Sequence, residues 1–309
     1  MSNTHYPIGQ AGIAWQSAER KAWLAQQKIK RSYFEEVMCR FDDVPPQFKK
    51  INYGNLPYDK EFAQPHAYPL FAFVPQSIDG NKPSVLISGG VHGYETSGVQ
   101  GACEFLIHHA SQFLDAFNVV VAPCISPWAY ETINRWNPMA LDPNRSFYAN
   151  SPVPECSQLM DFLNGLGLSF LAHIDLHETT DTDDSEFRPA LAARDGITLS
   201  NWGIPDGFYL VADSRQAQPD FQAAIIDAVS SVTHIAPADE KGQLIGSDAH
   251  QHGVICYDKK GLNLCGGITD ASFVTTTEVY PDSLNATPEI CIAAQVAALD
   301  GALNYLMKV

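Results

Sequence analysis

Apolar and polar residues follow one another along the chain in blocks that predict strands alternating with helices. Runs rich in β-branched and aromatic residues predict strands over 68–74, 84–91, 118–122, 169–176, 208–212 and 272–280. Segments with an apolar residue every three or four positions predict helices over 17–41, 96–116, 155–165 and 219–232. A last helix is predicted with Thr287 as its cap and Pro288 at its first position. Such alternation predicts an α/β layered fold with a mostly parallel sheet.

Composition indicates one folded unit without a basic surface. The 309 residues are 45% apolar, and no linker, repeat or low-complexity tract divides them. We therefore predict a single domain over 1–309, in which 1–60 form a helical extension packed on the rest. With 19 basic and 35 acidic residues the net charge is -16. Nucleic acids and anionic membranes require a basic face, so we expect neither as a partner.

The amino terminus and the cysteines indicate a cytoplasmic protein. The first fifteen residues lack the basic and apolar segments of a signal peptide. No apolar run approaches the ~18 residues of a membrane span. The 7 cysteines are scattered without Cys-x-x-Cys pairs, which is typical of reduced thiols.

The tetrapeptide His92-Gly93-Tyr94-Glu95 lies where the apolar run 84–91 gives way to a helix. In a parallel sheet, loops of this kind lie at the carboxyl edge, where ligands bind. An imidazole and a carboxylate three residues apart can turn toward one cation. His-x-x-Glu is common by chance, so this interpretation requires a third ligand from another part of the chain.

His177 is the candidate for that third ligand, because it follows the buried run 169–176 and should lie at the same edge. Two imidazoles and one carboxylate leave a fourth zinc position open, which is typical of a catalytic site. We therefore predict one zinc ion bound by His92, Glu95 and His177. His173, inside the strand, is interpreted as a core histidine with a hydrogen-bond partner.

Three further carboxylates have candidate roles. Asp142 or Asp175 could accept the second N–H of a zinc-binding imidazole and fix its tautomer, although Asp142 could equally be a turn residue. Glu278 is a lone carboxylate in a β-prone run, where burial without a partner is costly. It could serve as a general base toward water and then protonate a leaving amine. The alternative is a strand-end carboxylate in solvent or in a salt bridge.

The acidic segment 181–186 could hold a second cation or a positive substrate group, but a solvated loop is the simpler interpretation.

Residues 126–150 show almost no periodicity, and a loop of that length is usually functional or disordered. Its large aromatic residues, among them Trp128, Tyr130, Trp136 and Phe147, argue against disorder. Asn144 and Arg145 could bind a substrate carboxylate, and Arg135 could polarise a scissile carbonyl. Each arginine alone could also be an ordinary surface charge.

As a set, these motifs resemble the zinc metallocarboxypeptidases of the carboxypeptidase A type. The tetrapeptide, the Arg-x-Asn…Asp-x-Asn-Arg run over 135–145, the later histidine and the late strand glutamate occur in family order over about residues 68–280. The resemblance implies an eight-stranded mixed sheet flanked by helices on both faces. It also implies His92, Glu95 and His177 as zinc ligands, Asp142 behind His92, Arg135 as the oxyanion arginine, Asn144 and Arg145 as the carboxylate clamp, Glu278 as general base and Tyr257 as a mobile substrate tyrosine.

Two alternatives to a peptidase remain. The segment Asp175-Leu176-His177, with threonines after it, is closer to the related aspartoacylase and succinylglutamate desuccinylase branch, which hydrolyses N-acyl amino acids. The long interval from His177 to Glu278 leaves room for the side walls of a peptidase cleft, so we favour a peptidase acting on substrates with a free carboxylate. A non-catalytic ligand-binding relative is the second alternative, and it predicts loss of a ligand or of the base.

Overall fold

The computed structural model describes residues 6–199 and 203–309. Its strands are β1 (Phe48–Leu56), β2 (Tyr68–Pro75), β3 (Ser84–Gly89), β4 (Asn118–Ala122), β5 (Phe170–Glu178), β6 (Tyr209–Asp213), β7 (Gln243–Leu244), β8 (Ser247–Asp248), β9 (Val254–Tyr257) and β10 (Phe273–Val279). Eight of them form one sheet in the order β1-β2-β4-β3-β5-β10-β6-β9, and β7 pairs with β8. Neighbours are parallel at β4–β3, β3–β5, β5–β10 and β6–β9 and antiparallel elsewhere in this sheet. The predicted mixed, mostly parallel eight-stranded sheet is confirmed.

Helices cover both faces of the sheet. Those of the described ranges are α1 (Ser17–Leu24), α2 (Tyr33–Glu36), α3 (Tyr58–Glu61), α4 (Thr96–His108), α5 (Pro127–Thr132), α6 (Pro154–Leu166), α7 (Arg188–Asp195), α8 (Pro219–Ser230) and α9 (Pro288–Leu306). Helices α4, α8 and α9 pack together on one face, and α6 contributes to the core on the other.

The central strands are buried on both faces, which explains their continuous apolar sequences. All residues of β3 and β4 are buried. Val85 and Ile87 point into the core beneath α4 and α9, whereas Leu86 between them points into the core beside α6. The carboxyl ends of β3 and β5 therefore meet at one edge, above a core that holds both strands in place.

The N-terminal segment differs from its prediction in two ways. The predicted helix over 17–41 is interrupted between α1 and α2, because the backbone N–H of Lys30 bonds to Glu131 O at 2.8 Å instead of to the preceding turn. The predicted helical extension 1–60 also contributes β1, the edge strand that pairs with β2. Most residues of β1 are exposed or half-buried, so its apolar signal is weak. Residues 1–5, on which the prediction of no signal peptide partly depends, lie outside the described residues.

Other local predictions agree with the structure. The Thr287 side chain accepts a hydrogen bond from Ile290 N at 3.3 Å, and Pro288 is the first residue of α9. All the cysteines have free thiols. Across 6–199 and 203–309, no helix has both the length and the apolar character needed to cross a membrane.

Candidate active site

The three predicted ligand residues lie together at the carboxyl ends of β3 and β5. His92 and Glu95 are on the loop between β3 and α4, and His177 is near the end of β5. His92 Nδ1 lies 2.7 Å from Glu95 Oε1, and His177 Nδ1 lies 2.8 Å from Glu95 Oε2. All three side chains are buried. The two imidazoles therefore face the two oxygens of one carboxylate.

Two local features hold the loop against the strand. A Cβ atom at Gly93 would lie 1.9 Å from the carbonyl carbon of Ala129, so only glycine permits this close approach. The Glu178 carboxylate, at the end of β5, accepts the backbone N–H groups of Thr96 at 3.0 Å and Ser97 at 2.7 Å. Because these N–H groups begin α4, Glu178 connects the start of the helix to the strand that carries His177.

A second carboxylate contacts the far nitrogen of each imidazole. Asp142 Oδ1 lies 3.0 Å from His92 Nε2, and Asp175 Oδ2 lies 2.8 Å from His177 Nε2. A neutral imidazole that donates from Nε2 has a lone pair on Nδ1. Both lone pairs would then point at the Glu95 carboxylate, an arrangement that requires a cation or additional protons between them.

This arrangement fits a metal ion. The ligand atoms of His92, Glu95 and His177 lie within 4.8 Å of one another. Glu95 Oε2 is buried and accepts no well-formed hydrogen bond, although His177 Nδ1 is close to it. Burial by itself lowers the pKa of His177, but the carboxylates of Glu95 and Asp175 outweigh burial and raise this pKa well above its usual value. The surplus of negative charge favours a cation at this position.

Arg135 is held in place by three oxygen atoms. Its Nε donates to Asp142 Oδ2 at 3.1 Å, and its Nη1 donates to the Tyr94 hydroxyl at 3.1 Å and to Asp183 Oδ1 at 3.3 Å. Nη2 has no hydrogen-bond partner in the part of the chain that the structure describes. Asp183 belongs to the acidic segment interpreted as a solvated loop, but it faces inward and also accepts from Tyr94 at 2.7 Å. That interpretation is wrong for Asp183.

Asn144 and Arg145 lie in a short 3-10 turn that Asp142 caps through Asn144 N, at 2.9 Å. The Asn144 side-chain oxygen accepts a hydrogen bond from Cys265 N at 2.8 Å. The amide nitrogen of Asn144 therefore points away from Cys265. The Arg145 side chain is exposed and donates to Asn144 O at 2.7 Å. Within the described ranges it forms no ion pair, so its guanidinium is available to an anion.

Glu278 lies beside the ligand group, because β10 is parallel to β5 and places Glu278 in register with His177. Its Oε2 accepts a hydrogen bond from Thr179 Oγ1 at 2.8 Å. No basic side chain of the described residues forms a salt bridge with it. Burial, to which Glu95 adds and which His177 opposes, raises the pKa of Glu278 to about 7. A carboxylate with this pKa can both accept and return a proton near neutral pH.

A cleft of about 510 Å³ brings most of the predicted residues together. Asp175 is not on its wall, and instead lies beneath His177. Tyr257, at the end of β9, lies on the wall and accepts a hydrogen bond from Ser247 at 3.3 Å. The predicted residues that line the cleft are His92, Glu95, Arg135, Asp142, Asn144, Arg145, His177, Tyr257 and Glu278.

The polar residues of this cleft to which the sequence interpretation gave no role include Tyr94, Glu178 and Lys259. Tyr94 and Glu178 are next to predicted metal ligands in the sequence, and this position was the signal that could have indicated a place in the cleft. Lys259 has no comparable signal, and the acidic segment 181–186 does not indicate by itself that Asp183 contacts Arg135 and Tyr94, because these partners are far away in the sequence.

No protein-family model matches the sequence, and no curated protein matches it either. Solved structures do match. A candidate metallopeptidase from Shewanella amazonensis is 18% identical with a TM-score of 0.62, over 96% of this chain and 99% of that one. A metallo-carboxypeptidase from Burkholderia cenocepacia is 15% identical with a TM-score of 0.57, over 96% of this chain and 70% of that one. Bovine thrombin-activatable fibrinolysis inhibitor, solved with a tick carboxypeptidase inhibitor, is 12% identical with a TM-score of 0.55, over 93% of this chain and 99% of that one.

The chain has the metallocarboxypeptidase fold. The fold expected from the motifs is thus confirmed, and at these identities the likeness concerns the fold alone. In this fold, buried His, Glu and His side chains lie at the carboxyl edge of the sheet. Metal-dependent hydrolysis is chemically feasible at such a position.

Proposed function

We propose that this chain, as one domain, is a zinc-dependent, metallocarboxypeptidase-like hydrolase that cleaves an amide bond next to a substrate carboxylate. One observation supports this most directly. The Nδ1 atoms of His92 and His177 meet the two oxygens of buried Glu95, while a further carboxylate holds each Nε2. This is the donor set of a zinc site whose imidazoles are oriented by carboxylates.

In this proposal His92, Glu95 and His177 hold the zinc ion, which when bound polarises the scissile carbonyl and lowers the pKa of water. Glu278 accepts a proton from the attacking water and transfers it to the leaving amine. Its hydrogen bond from Thr179 orients the carboxylate, and the absence of a salt bridge among the described residues leaves it free to take up a proton.

Arg135 and Arg145 have different tasks in the proposed reaction. Arg135 is fixed through Nε and Nη1, so Nη2 can donate to the carbonyl oxygen of the scissile bond. Arg145, with the amide nitrogen of Asn144, binds the substrate carboxylate through parallel hydrogen bonds. This clamp restricts cleavage to the bond beside a free carboxylate. Tyr257, on the wall of the same cleft, is proposed as a further substrate contact.

A second candidate function is hydrolysis of N-acyl amino acids. It is favoured by the Asp175–His177 pair, in which one strand supplies both the imidazole and its carboxylate. A shared clamp and base would serve either substrate, so the two functions differ only in what lies on the acyl side. A non-catalytic relative is the remaining alternative, and the presence of both the ligand group and Glu278 argues against it.

The proposal is tested with the Glu278→Gln variant and with exposed Glu240→Gln as its matched control. Glutamine keeps the Thr179 hydrogen bond but cannot accept the proton, so kcat/KM should fall by roughly 10²- to 10⁴-fold. Zinc content should be unchanged, because Glu278 is outside the ligand group. Peptides with a free carboxyl terminus should be cleaved and their amidated counterparts should not.

Several outcomes would contradict the proposal. Full activity of Glu278→Gln would remove this residue from the mechanism, and equal cleavage of amidated peptides would exclude the clamp. Cleavage of N-acetyl amino acids, with none of peptides, would establish the deacylase. Purified protein that binds no zinc would favour the non-catalytic relative.

A further inference from the structure

Lys259 is a buried cation in the wall of the proposed catalytic cleft. It follows β9 and has no exposed surface, yet it lines the same cleft as Arg145 and Glu278. Charged lysine side chains are rarely buried to this extent without an anionic partner. Its burial therefore requires an explanation that the proposed mechanism does not provide.

The ammonium group is only partly satisfied by the protein. Its Nζ donates to Thr276 Oγ1, a short contact. An ammonium group has three N–H donors, and no carboxylate of the described residues forms a salt bridge with this one. Asp175 already accepts from Ser88 and faces His177, so it has other partners. Burial lowers the pKa of Lys259 to about 8, with Asp175 and Glu278 only partly offsetting it.

The surrounding backbone leaves space for this particular side chain. A Cβ atom at Gly266 would lie 2.9 Å from Lys259 Cδ and 3.3 Å from its Nζ. A Cβ atom at Gly267 would lie 2.6 Å from the Lys259 carbonyl carbon. Gly266 thus permits the lysine stem to pass close to the backbone on its way to the cleft wall, and Gly267 permits a similarly close approach to the Lys259 main chain.

The position of the ammonium group matches the length of one substrate side chain. Thr276 lies two residues before Glu278 on the same face of β10, which is about 7 Å along the strand. Glu278 marks the scissile bond in our proposal, and the Lys259 ammonium group, which contacts Thr276, lies deeper along β10 than Glu278 does. A glutamate side chain extends about 5 Å from its Cα atom, so its carboxylate can approach this ammonium group.

We propose that Lys259 determines the specificity of the cleft and selects substrates whose carboxyl-terminal residue has an acidic side chain. This inference rests on the proposed function, because Arg145 must hold the main-chain carboxylate of the same residue. The substrate residue would thus be a dicarboxylate bound by two separate cations. A structural role, in which Lys259 only balances nearby carboxylates, predicts no such preference.

The decisive measurement uses binding, which does not depend on turnover. L-Glutamate and L-glutamine are titrated calorimetrically into the zinc-loaded protein, since each represents the leaving residue of a substrate. Only glutamate can form a hydrogen bond between a side-chain carboxylate and the Lys259 ammonium group, so glutamate should bind about 10- to 100-fold more tightly than glutamine. Lys259→Met should abolish this ratio. The matched control Lys260→Met should keep it, because Lys260 is an exposed neighbour that pairs with Asp270.

Equal binding of the two amino acids by the wild-type protein would overturn the inference, and so would a Lys259→Met variant that weakens both equally. If Lys259→Met does not fold, the wild-type ratio and the charge-preserving Lys259→Arg variant decide, since both should still favour glutamate. Hydrolysis is measured separately on peptides ending in Glu or Gln. Glutamate-selective binding without hydrolysis would refute the proposed function and support the role of Lys259 in specificity. Hydrolysis without a preference for glutamate would support the proposed function and refute that role of Lys259.

Discussion

Replacing Asp142 by Asn tests whether this carboxylate supports both an imidazole and an arginine. Asp142 Oδ1 accepts from Asn144 N and lies near His92 Nε2, whereas Oδ2 accepts from Arg135 Nε. An amide has one oxygen and one NH2 group. If the oxygen stays toward His92 and Asn144, the NH2 group must face the Arg135 Nε–H. We expect this orientation, because the reverse places two donors against the NH2 group.

The Arg135 Nε–H then has no acceptor on its side toward buried Asp142, in a side chain that is itself half-buried, although Nη1 keeps its contacts with Tyr94 and Asp183. Leaving a buried donor unsatisfied costs about 1–3 kcal/mol, so the free energy of unfolding should fall by that amount. Replacement of the carboxylate behind a metal-binding imidazole typically weakens metal binding by about 10- to 100-fold. Asp142→Asn should therefore reduce both stability and zinc affinity.

Asp175→Asn is the matched control, because Asp175 contacts His177 but no arginine. Its Oδ1 accepts from the Ser88 hydroxyl at 2.6 Å, and a hydroxyl can instead accept from an amide NH2 group. Ser88 can then donate to His173 Nε2, which lies 2.8 Å away. Asp175→Asn should thus weaken zinc binding to a similar extent while lowering stability less.

The assay combines chelator competition, for zinc affinity, with urea denaturation of the metal-free proteins, for the free energy of unfolding. Two results would refute the reasoning. Unchanged zinc affinity in both variants would show that neither carboxylate supports an imidazole. Equal losses of stability would show that the contact between Asp142 and Arg135 makes no separate contribution.

Two further predictions concern the packing around the site. Burial raises the pKa of Glu155, whose Oε1 accepts from the Tyr58 hydroxyl at 2.6 Å. The folded state therefore favours the protonated form of Glu155. The stability that this protonated carboxyl contributes is fully present below the unfolded-state pKa and is lost as the pH rises through the folded-state pKa. Glu155→Gln, which stays neutral, should accordingly gain stability relative to wild type in denaturant titrations as the pH rises from the unfolded-state pKa to the folded-state pKa, and a pH-independent difference would exclude this. Gly93→Ala should abolish zinc binding or soluble expression, since its Cβ atom would overlap Ala129. Gly165→Ala, in α6 with open space around it, should stabilise the protein by about 0.5–1 kcal/mol in the same titrations, and tolerance of Gly93→Ala would contradict the close approach.

The sequence by itself determined the elements whose signal is local. The continuous apolar runs of β3 and β4 predict strands buried on both faces, and the structure buries every residue of both. Thr287 and Pro288 predict the start of α9 because a cap and a first-turn proline act within a few residues. The tetrapeptide could be placed at the sheet edge for the same reason, since a strand-to-helix transition can be detected in a short window.

The tertiary structure alone decided the contacts between residues that are distant in sequence. The mostly exposed pattern of β1 has only a weak apolar signal, and its place in the sheet is decided by pairing with β2. Likewise, Asp183 accepts a hydrogen bond from Arg135, and Glu178 accepts one from the first residue of α4. Lys259 lines the cleft together with residues that are far from it in the sequence. A charged residue has the same letter whether it is solvated or buried, and only packing determines which other charges it meets.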